Sequence, residues 1–340
     1  MRRMCIKFPL GPLLILLAAT LMAGCTGMQN ASDQSRTSPQ ENPFVADGYL
    51  ETPPNLGNKG YSVEKIADNV YFFTTGTYNN IFIVTEEGVI ATDPIRGKGP
   101  LLQQAIAEIT DQPVKFLIYS HPHLDHIGDA HLFAKGAQII AHQETKKLLQ
   151  RYKDPNRPLP ETTFQKNYSL RLGGVQVDLI YPGEGHDKGN IMIHLPGRKV
   201  LMFVDVATPK AVPFKNFSTT DIYSHVRGLE RALKLDFDIY VAGHLHRPGK
   251  REEMQEVLKY YKDSKRANKA ALKAVPFSKV RARSKTRDVE RLFGEYYQAV
   301  SAECTRILRK KWKSRLMGFE AFAPGHCDVW TGFHRTHKAP

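Results

Sequence analysis

The stretch SHPHLDHIGD, residues 120–129, places several side chains of metal-ligand type close together. Within six positions it carries three histidines and an aspartate: His121, His123, Asp125 and His126. The preceding residues 113–119 (PVKFLIY) are apolar and β-prone, which predicts a buried strand that ends where the cluster begins. Loops at strand ends are where a rigid scaffold holds functional side chains. Imidazoles and a carboxylate at this spacing predict a metal site, against the alternative of a solvated polar loop.

Other ligand-type side chains follow three later strands. His186 lies in a glycine-rich loop (YPGEGHDKGN), Asp205 ends a strand in LMFVDVATP, and His244 ends another in VAGHLHRPG. Each of them alone is more often a capping or hydrogen-bonded surface residue. Together with the cluster they give five histidines and two aspartates at four strand ends. That set fits two metal ions, each with nitrogen and oxygen ligands and an open position.

The surrounding chain alternates strands and helices. Residues 61–94 show the short alternating runs of a β-meander, and residues 98–110 have helical spacing. Hairpins are predicted at residues 169–182 and 191–204, and a helix at residues 222–235 precedes a further buried strand. The predicted class is therefore α/β.

The ligand order HxHxDH, His186, Asp205, His244 resembles the metallo-β-lactamase-fold hydrolases over roughly residues 60–250. The resemblance implies an αββα sandwich, with two sheets face to face, helices outside, and the site at one sheet edge. It also implies two zinc ions. The first would be held by His121, His123 and His186, and the second by Asp125, His126 and His244, with Asp205 bridging them. Asp93 matches a family aspartate that braces the ligand loop, against the alternative of a turn residue before proline.

Such a site predicts a hydrolase. The two ions would lower the pKa of a water that bridges them, and the resulting hydroxide would attack a small-molecule ester, lactone or thioester. Asp125 is expected to orient that hydroxide and to pass its proton to the leaving group. Lys210 and His246 are candidates for substrate contacts, with a solvated lysine and a solvated rim histidine as the alternatives.

The residue at the bridging position favours some substrates over others. True β-lactamases of this fold usually have a cysteine at the position of Asp205 or no bridging ligand there, so β-lactamase activity is the second choice. A third hypothesis, of a different class, is a non-catalytic lipoprotein that binds metal or cell-wall polymer.

The N-terminus predicts export. Residues 1–24 combine a cationic start (MRRMCIKF) with an apolar run that ends in small residues, the pattern of a signal peptide. LMAGC resembles the bacterial lipobox, which implies that Cys25 is lipidated and anchors the protein on the periplasmic face of the envelope, at the outer membrane. A plain cleaved signal is the alternative. Residues 25–59, rich in Ser, Asn, Gln, Pro and Gly, predict a flexible tether.

The C-terminal residues 251–340 predict a basic helical extension. The chain has a formal net charge of +14, and residues 250–315 alone hold 20 Lys and Arg against 8 Asp and Glu. In an exported protein this excess favours anionic lipids, cell-wall polymers or simply water over nucleic acid. Apolar spacing predicts two amphipathic helices, and the aromatic tail has no assigned role. Cys304 and Cys327 are expected to form a disulfide in an oxidising compartment. The sequence leaves the oligomeric state open.

Overall fold

The structure is a computed structural model that describes residues 54–337. Cys25, the predicted signal peptide and most of the predicted tether lie outside the described residues. The described part contains two β-sheets packed face to face, with helices on the outer face of each. The predicted α/β class and αββα sandwich are confirmed.

The first sheet has seven strands in sequential order, β1 to β7. Their bounds are Ser62–Ala67, Val70–Thr74, Asn79–Thr85, Gly88–Thr92, Val114–Ile118, Gln138–His142 and Thr162–Phe164. Strands β1 to β4 pair antiparallel and form the predicted meander. Strands β4 to β7 pair parallel, so β4, β5 and β6 all end at the same edge of the sheet.

The second sheet has six strands in the order β13-β12-β11-β10-β9-β8. Strands β8 to β13 span Asn167–Leu172, Val175–Ile180, Met192–Leu195, Val200–Met202, Ile239–Val241 and Gly249–Lys250. The two predicted hairpins are β8–β9 and β10–β11, and the second turns through a 3-10 helix at Pro196–Arg198.

Eight α-helices surround the sheets in the described part of the chain. Helices α1 to α8 span Gly99–Ala107, Leu124–Ile127, Gln143–Tyr152, Ile222–Ala232, Arg251–Ala274, Phe277–Arg283, Val289–Trp312 and Phe319–Thr336. The outer face of the first sheet packs on α1 and α3, through residues such as Leu102 and Leu149. The outer face of the second sheet packs on α4, α5, α7 and α8. A third apolar layer, which includes Ile90 and Ile193, fills the space between the sheets.

The C-terminal helices share their core with the second sheet. One cluster of buried apolar residues runs from Met192 to Trp330, across the boundary predicted at residue 250. The tail without an assigned role forms α8, and a disulfide between Cys304 and Cys327 joins it to α7. The predicted C-terminal helices are thus present, and they form part of the outer layer on the second sheet.

The body begins before the predicted end of the tether. Gly57–Lys59 form a 3-10 helix, and Lys59 Nζ lies 2.8 Å from Glu108 Oε2 just after α1. The chain is thus fixed to the first sheet's outer layer a few residues ahead of residue 60. No helix among residues 54–337 combines the length and the apolar character needed to cross a bilayer.

Candidate metal centre

The predicted ligands meet at one edge of the sandwich because each follows the end of a strand. His121 and His123 follow β5, His186 lies in the loop after β9, Asp205 follows β11 and His244 follows β12. Two groups result, and within each group the potential ligand atoms all lie within 4.8 Å of one another. The first group is His121, His123, His186 and Asp205, and the second is Asp125, His126 and His244. The structure therefore brings together all seven predicted ligands.

Asp205 is the carboxylate that contacts both groups. Its Oδ2 lies 3.5 Å from His121 Nε2, 3.3 Å from His186 Nε2 and 3.1 Å from His126 Nε2. Its Oδ1 lies 3.0 Å from Nε2 of His244. This position between the groups is the one implied for a bridging ligand.

Electrostatics keep Asp205 ionised and His121 neutral. Burial raises the pKa of Asp205, but the charges of His126 and His244 outweigh burial and hold the pKa well below its usual range. Burial and the neighbouring imidazoles hold the pKa of His121 well below its usual value. The Asp205 carboxylate also outweighs burial at His126 and raises the pKa of that imidazole to about 9, so His126 would release a proton on binding a dication.

His121 is oriented by a hydrogen-bond relay to Asp93. Its Nδ1 donates to Ser120 Oγ at 2.9 Å, and that hydroxyl donates to Asp93 Oδ2 at 2.5 Å. Asp93 Oδ1 also accepts the backbone N–H of Ser120 at 2.8 Å. The relay fixes the tautomer in which the Nε2 lone pair of His121 faces the cluster. Asp93 thus braces the loop that carries His121 and His123, through its two bonds to Ser120.

The other two histidines of the first group are oriented in the same manner. His123 Nε2 donates to Asp187 at 3.0 Å, which leaves its Nδ1 facing His186 Nε2 at 3.1 Å. His186 Nδ1 donates to the carbonyl oxygen of Ser218 at 2.6 Å. In each ring one nitrogen is held by an acceptor and the other faces the group, as in metal-ligating histidines.

Three inward-facing atoms support a metal at this position. His121 Nε2, His126 Nε2 and Asp205 Oδ1 are buried, and within residues 54–337 their neighbours at 3.0–3.5 Å are other predicted ligand atoms, none of which is angled to form a hydrogen bond with them. Buried polar atoms without partners are costly, and a bound cation would satisfy all three. The residues present therefore fit a metal centre.

The predicted ligands are buried on one side of the site and exposed to solvent on the other. The side chains of His121 and His126 are fully buried, whereas those of Asp125, His123 and His244 are 45%, 38% and 30% exposed. Tyr78 packs its ring on His244 with the centroids 4.6 Å apart, and burial together with the nearby Asp125 carboxylate raises the pKa of Tyr78. A substrate would reach the centre on this exposed side.

The two predicted substrate contacts lie outside both groups. Lys210 Nζ is 2.9 Å from Oε2 of Glu256 on α5, so its charge is already paired. We therefore leave Lys210 out of the substrate proposal. His246 is half-buried in the loop after His244.

Sequence reasoning missed several residues that hold the ligands in place. Ser120 and Asp187 each adjoin a ligand in the chain, and that adjacency was a usable signal. Ser218 and Asn79 gave none, because their partners are distant in sequence. Asn79 Oδ1 accepts the backbone N–H of Gly243, beside ligand His244, at 3.1 Å.

Comparison with known families agrees with this geometry. A family profile described as the Metallo-beta-lactamase superfamily matches residues 74–244, half of the chain and the stretch that carries every ligand. The chain belongs to the metallo-beta-lactamase superfamily. The resemblance drawn from the ligand order is confirmed.

Relatives within the superfamily differ in activity. Subunit alpha of the 2,4-dinitroanisole O-demethylase of Nocardioides sp. (strain JS1661) is 32% identical over 200 residues, 56% of this chain and 60% of that protein. The type 2 metallo-beta-lactamase of Elizabethkingia meningoseptica is 28% identical over 156 residues, 41% of this chain and 59% of that protein. This chain thus spans about 60% of the length of these two relatives.

A solved structure shares the fold. The metallo-beta-lactamase from Pontibacter korlensis superposes with a TM-score of 0.52 at 21% identity, over 59% of this chain and 99% of that one. At this identity the superposition shows a shared fold.

Proposed function

We propose that this chain is a metal-dependent hydrolase that holds two zinc ions and cleaves a small ester, lactone or thioester. The observation that carries the proposal is the position of Asp205, whose two carboxylate oxygens contact imidazoles of both ligand groups. A carboxylate shared between two groups is the arrangement of a dinuclear site.

In the proposed reaction the zinc ions would activate water, and side chains of the protein would hold the ions and transfer a proton. His121, His123 and His186 would hold one ion, Asp125, His126 and His244 the other, and Asp205 both. When bound, zinc supplies Lewis acidity and lowers the pKa of a water to about 7. The half-exposed carboxylate of Asp125 would accept a proton from the nucleophile and deliver it to the leaving atom.

The relatives define the substrates to be tested. An aspartate at position 205, in place of the cysteine usual in β-lactamases of this fold, favours esters, lactones and thioesters. Similarity to the type 2 enzymes keeps β-lactams as the second candidate. The higher identity to an O-demethylase subunit adds a nitroaromatic methyl ether, 2,4-dinitroanisole, to the panel.

The test is zinc content together with hydrolysis by the same purified sample. We expect two zinc ions per chain and turnover of a thioester or lactone above that of a cephalosporin or 2,4-dinitroanisole. Asp205→Ala should retain about one ion and lose activity, because the first group keeps three imidazoles. His194→Gln is the matched control, since this buried histidine donates to the Asp236 carbonyl at 2.8 Å, away from the ligands.

Three results would change the proposal. Wild-type protein without bound metal would overturn the site. Two zinc ions without hydrolysis of any ester, amide or phosphoester would favour the non-catalytic binding hypothesis. Cephalosporin turnover far above lactone turnover would favour a β-lactamase.

We also propose that the protein is exported and anchored to the outer membrane through a lipidated Cys25. The signal-like residues 1–24 support this, and so does the disulfide between Cys304 and Cys327, since structural disulfides persist in oxidising compartments. Mass spectrometry of the membrane fraction should find a diacylated Cys25 at the mature N-terminus. An unmodified soluble protein that begins elsewhere would contradict the anchor.

A further inference from the structure

The loop at residues 213–218 has an unusual backbone and touches the metal centre. Asn216, Phe217 and Ser218 are consecutive non-glycine residues with φ values of 55°, 62° and 44°. Side chains with a Cβ disfavour this left-handed region, so a run of three persists only where the surroundings enforce it. The Ser218 carbonyl accepts the hydrogen bond from His186 Nδ1 at 2.6 Å. The shape of the loop therefore sets the direction of the His186 ring.

Helix α8 provides one wall that enforces this shape. The buried ring of Phe217 stacks on His326 of α8, with centroids 4.1 Å apart and planes at 14°. His326 Nε2 donates to the Phe214 carbonyl at 3.1 Å, and the Tyr260 hydroxyl lies 2.7 Å from its Nδ1. His326 is thus fixed on both sides and contacts the loop through its ring face and its N–H.

A close approach at Gly325 adds a second contact between α8 and the loop. A Cβ at this position would lie 2.3 Å from Asn216 Oδ1, so any side chain here would displace the amide end of Asn216 from its present contact with α8. Backbone bonds fix the chain just ahead of the loop, since Met317 accepts from Val212 N at 3.0 Å and donates to Lys210 O at 2.8 Å.

We propose that α8 is a positioning element of the metal centre, with His326 and Gly325 as its positioning residues. They hold the 213–218 loop in the conformation in which Ser218 aims His186 at the first ligand group. The inference rests on the proposed metal centre but not on any substrate. It also gives the disulfide between Cys304 and Cys327 a second role, because that bond holds α8 against α7.

The first test removes the hydrogen bond of His326 to the loop. His326→Leu should weaken zinc binding by about tenfold, the lower end of the loss seen when the support of a ligating imidazole is removed. His326→Gln keeps an N–H donor and should stay within about twofold of wild type. His334→Leu is the control on the same helix, because His334 bonds Asn268 and stacks on Trp330 but makes no hydrogen bond or ring contact of its own with residues 213–218.

The readouts separate positioning from general stability. Zinc affinity comes from competition with a chromophoric chelator, and the visible spectrum of the cobalt(II)-loaded protein reports ligand geometry. The Tm of each metal-free variant measures folding alone. We expect His326→Leu to change both metal readouts and His334→Leu to change only the Tm.

The second test uses two glycines of α8 that face different surroundings. A Cβ at Gly325 meets Asn216, whereas a Cβ at Gly332 meets nothing within 4 Å. Gly325→Leu should displace the loop and lower zinc affinity at least tenfold, while Gly332→Leu should bind zinc like wild type. Equal zinc affinities in these two variants, or a His326→Leu variant with wild-type affinity, would overturn the positioning role. Wild-type protein without zinc affinity would instead overturn the proposed function.

Discussion

Breaking the disulfide between Cys304 and Cys327 should destabilise the helical layer on the second sheet. The bridge joins α7 to α8 across a sequence separation of 23 residues. Chain entropy assigns a loop of that length about 3.4 kcal/mol of stabilisation, because the cross-linked unfolded chain has fewer conformations. Unfolding a body of about 280 residues carries an entropy of about 0.6 kcal/mol/K, so the loss corresponds to a fall in Tm of about 6 °C.

Urea unfolding with and without a phosphine reductant measures this contribution. Reduction isolates the cross-link, because both fully buried sulfur atoms remain in the core. The double variant Cys304→Ala/Cys327→Ala should lose more, since it also removes the packing of those two sulfur atoms. A free energy of unfolding that is unchanged by the reductant, in protein whose two thiols titrate as fully reduced, would refute the entropic reasoning.

Three further predictions concern the ligand supports and pH. Asp93→Asn should weaken zinc binding by about 10- to 100-fold by disturbing the relay to His121, as measured by chelator competition. Asp187→Ala should weaken zinc binding to a similar extent, because it removes the acceptor that orients His123. Asp187→Asn should weaken zinc binding less, since its amide oxygen still accepts the His123 N–H. Equal losses of zinc affinity in the two variants would contradict the orienting role of Asp187. Burial lowers the pKa of His326 to about 4, so between about pH 6.5 and 4 the unfolded chain binds a proton that the folded one does not. The free energy of unfolding should therefore decrease as the pH is lowered through that window, by up to about 1.4 kcal/mol per pH unit. Urea titrations at successive pH values should show a smaller decrease for His326→Gln.

The ligands were predictable from sequence because their spacing is local and their order is specific. The spacing of the residues from His121 to His126 is enough to indicate a metal site. His186, Asp205 and His244 lie beside them because each follows the end of a strand. The strands of the meander and the hairpins were equally visible, since their alternation reflects burial on one face. Strand β7 was missed because three residues carry too little pattern to be recognised.

The supports of the ligands were harder to foresee because they depend on tertiary contacts. Ser218 lies 32 residues from His186, and nothing in its local sequence marks its carbonyl as an acceptor. Helix α8 includes Pro324 and two glycines, Gly325 and Gly332, which argue locally against a helix. Burial of Trp330 and His326 against α5 and the 213–218 loop outweighs that local preference.

Backbone strain around the centre links the sandwich to its helical layers. Asp93, Asp205 and Leu245 join the 213–218 loop as non-glycine positions with positive φ, at 38°, 63° and 79°. Each such residue costs about 1–3 kcal/mol and persists only where neighbours fix it. Asp93 is held by Ser120, the Asp205 N–H donates to Ala242 O at 3.0 Å, and Asn79 donates to the Leu245 carbonyl at 2.5 Å. Of these four places, the 213–218 loop is the one held by helices, because Phe217 stacks on Tyr261 of α5 and on His326 of α8. The helices that sequence analysis set apart as an extension therefore complete the support of the ligand edge, because the sheets by themselves leave His186 without a fixed acceptor.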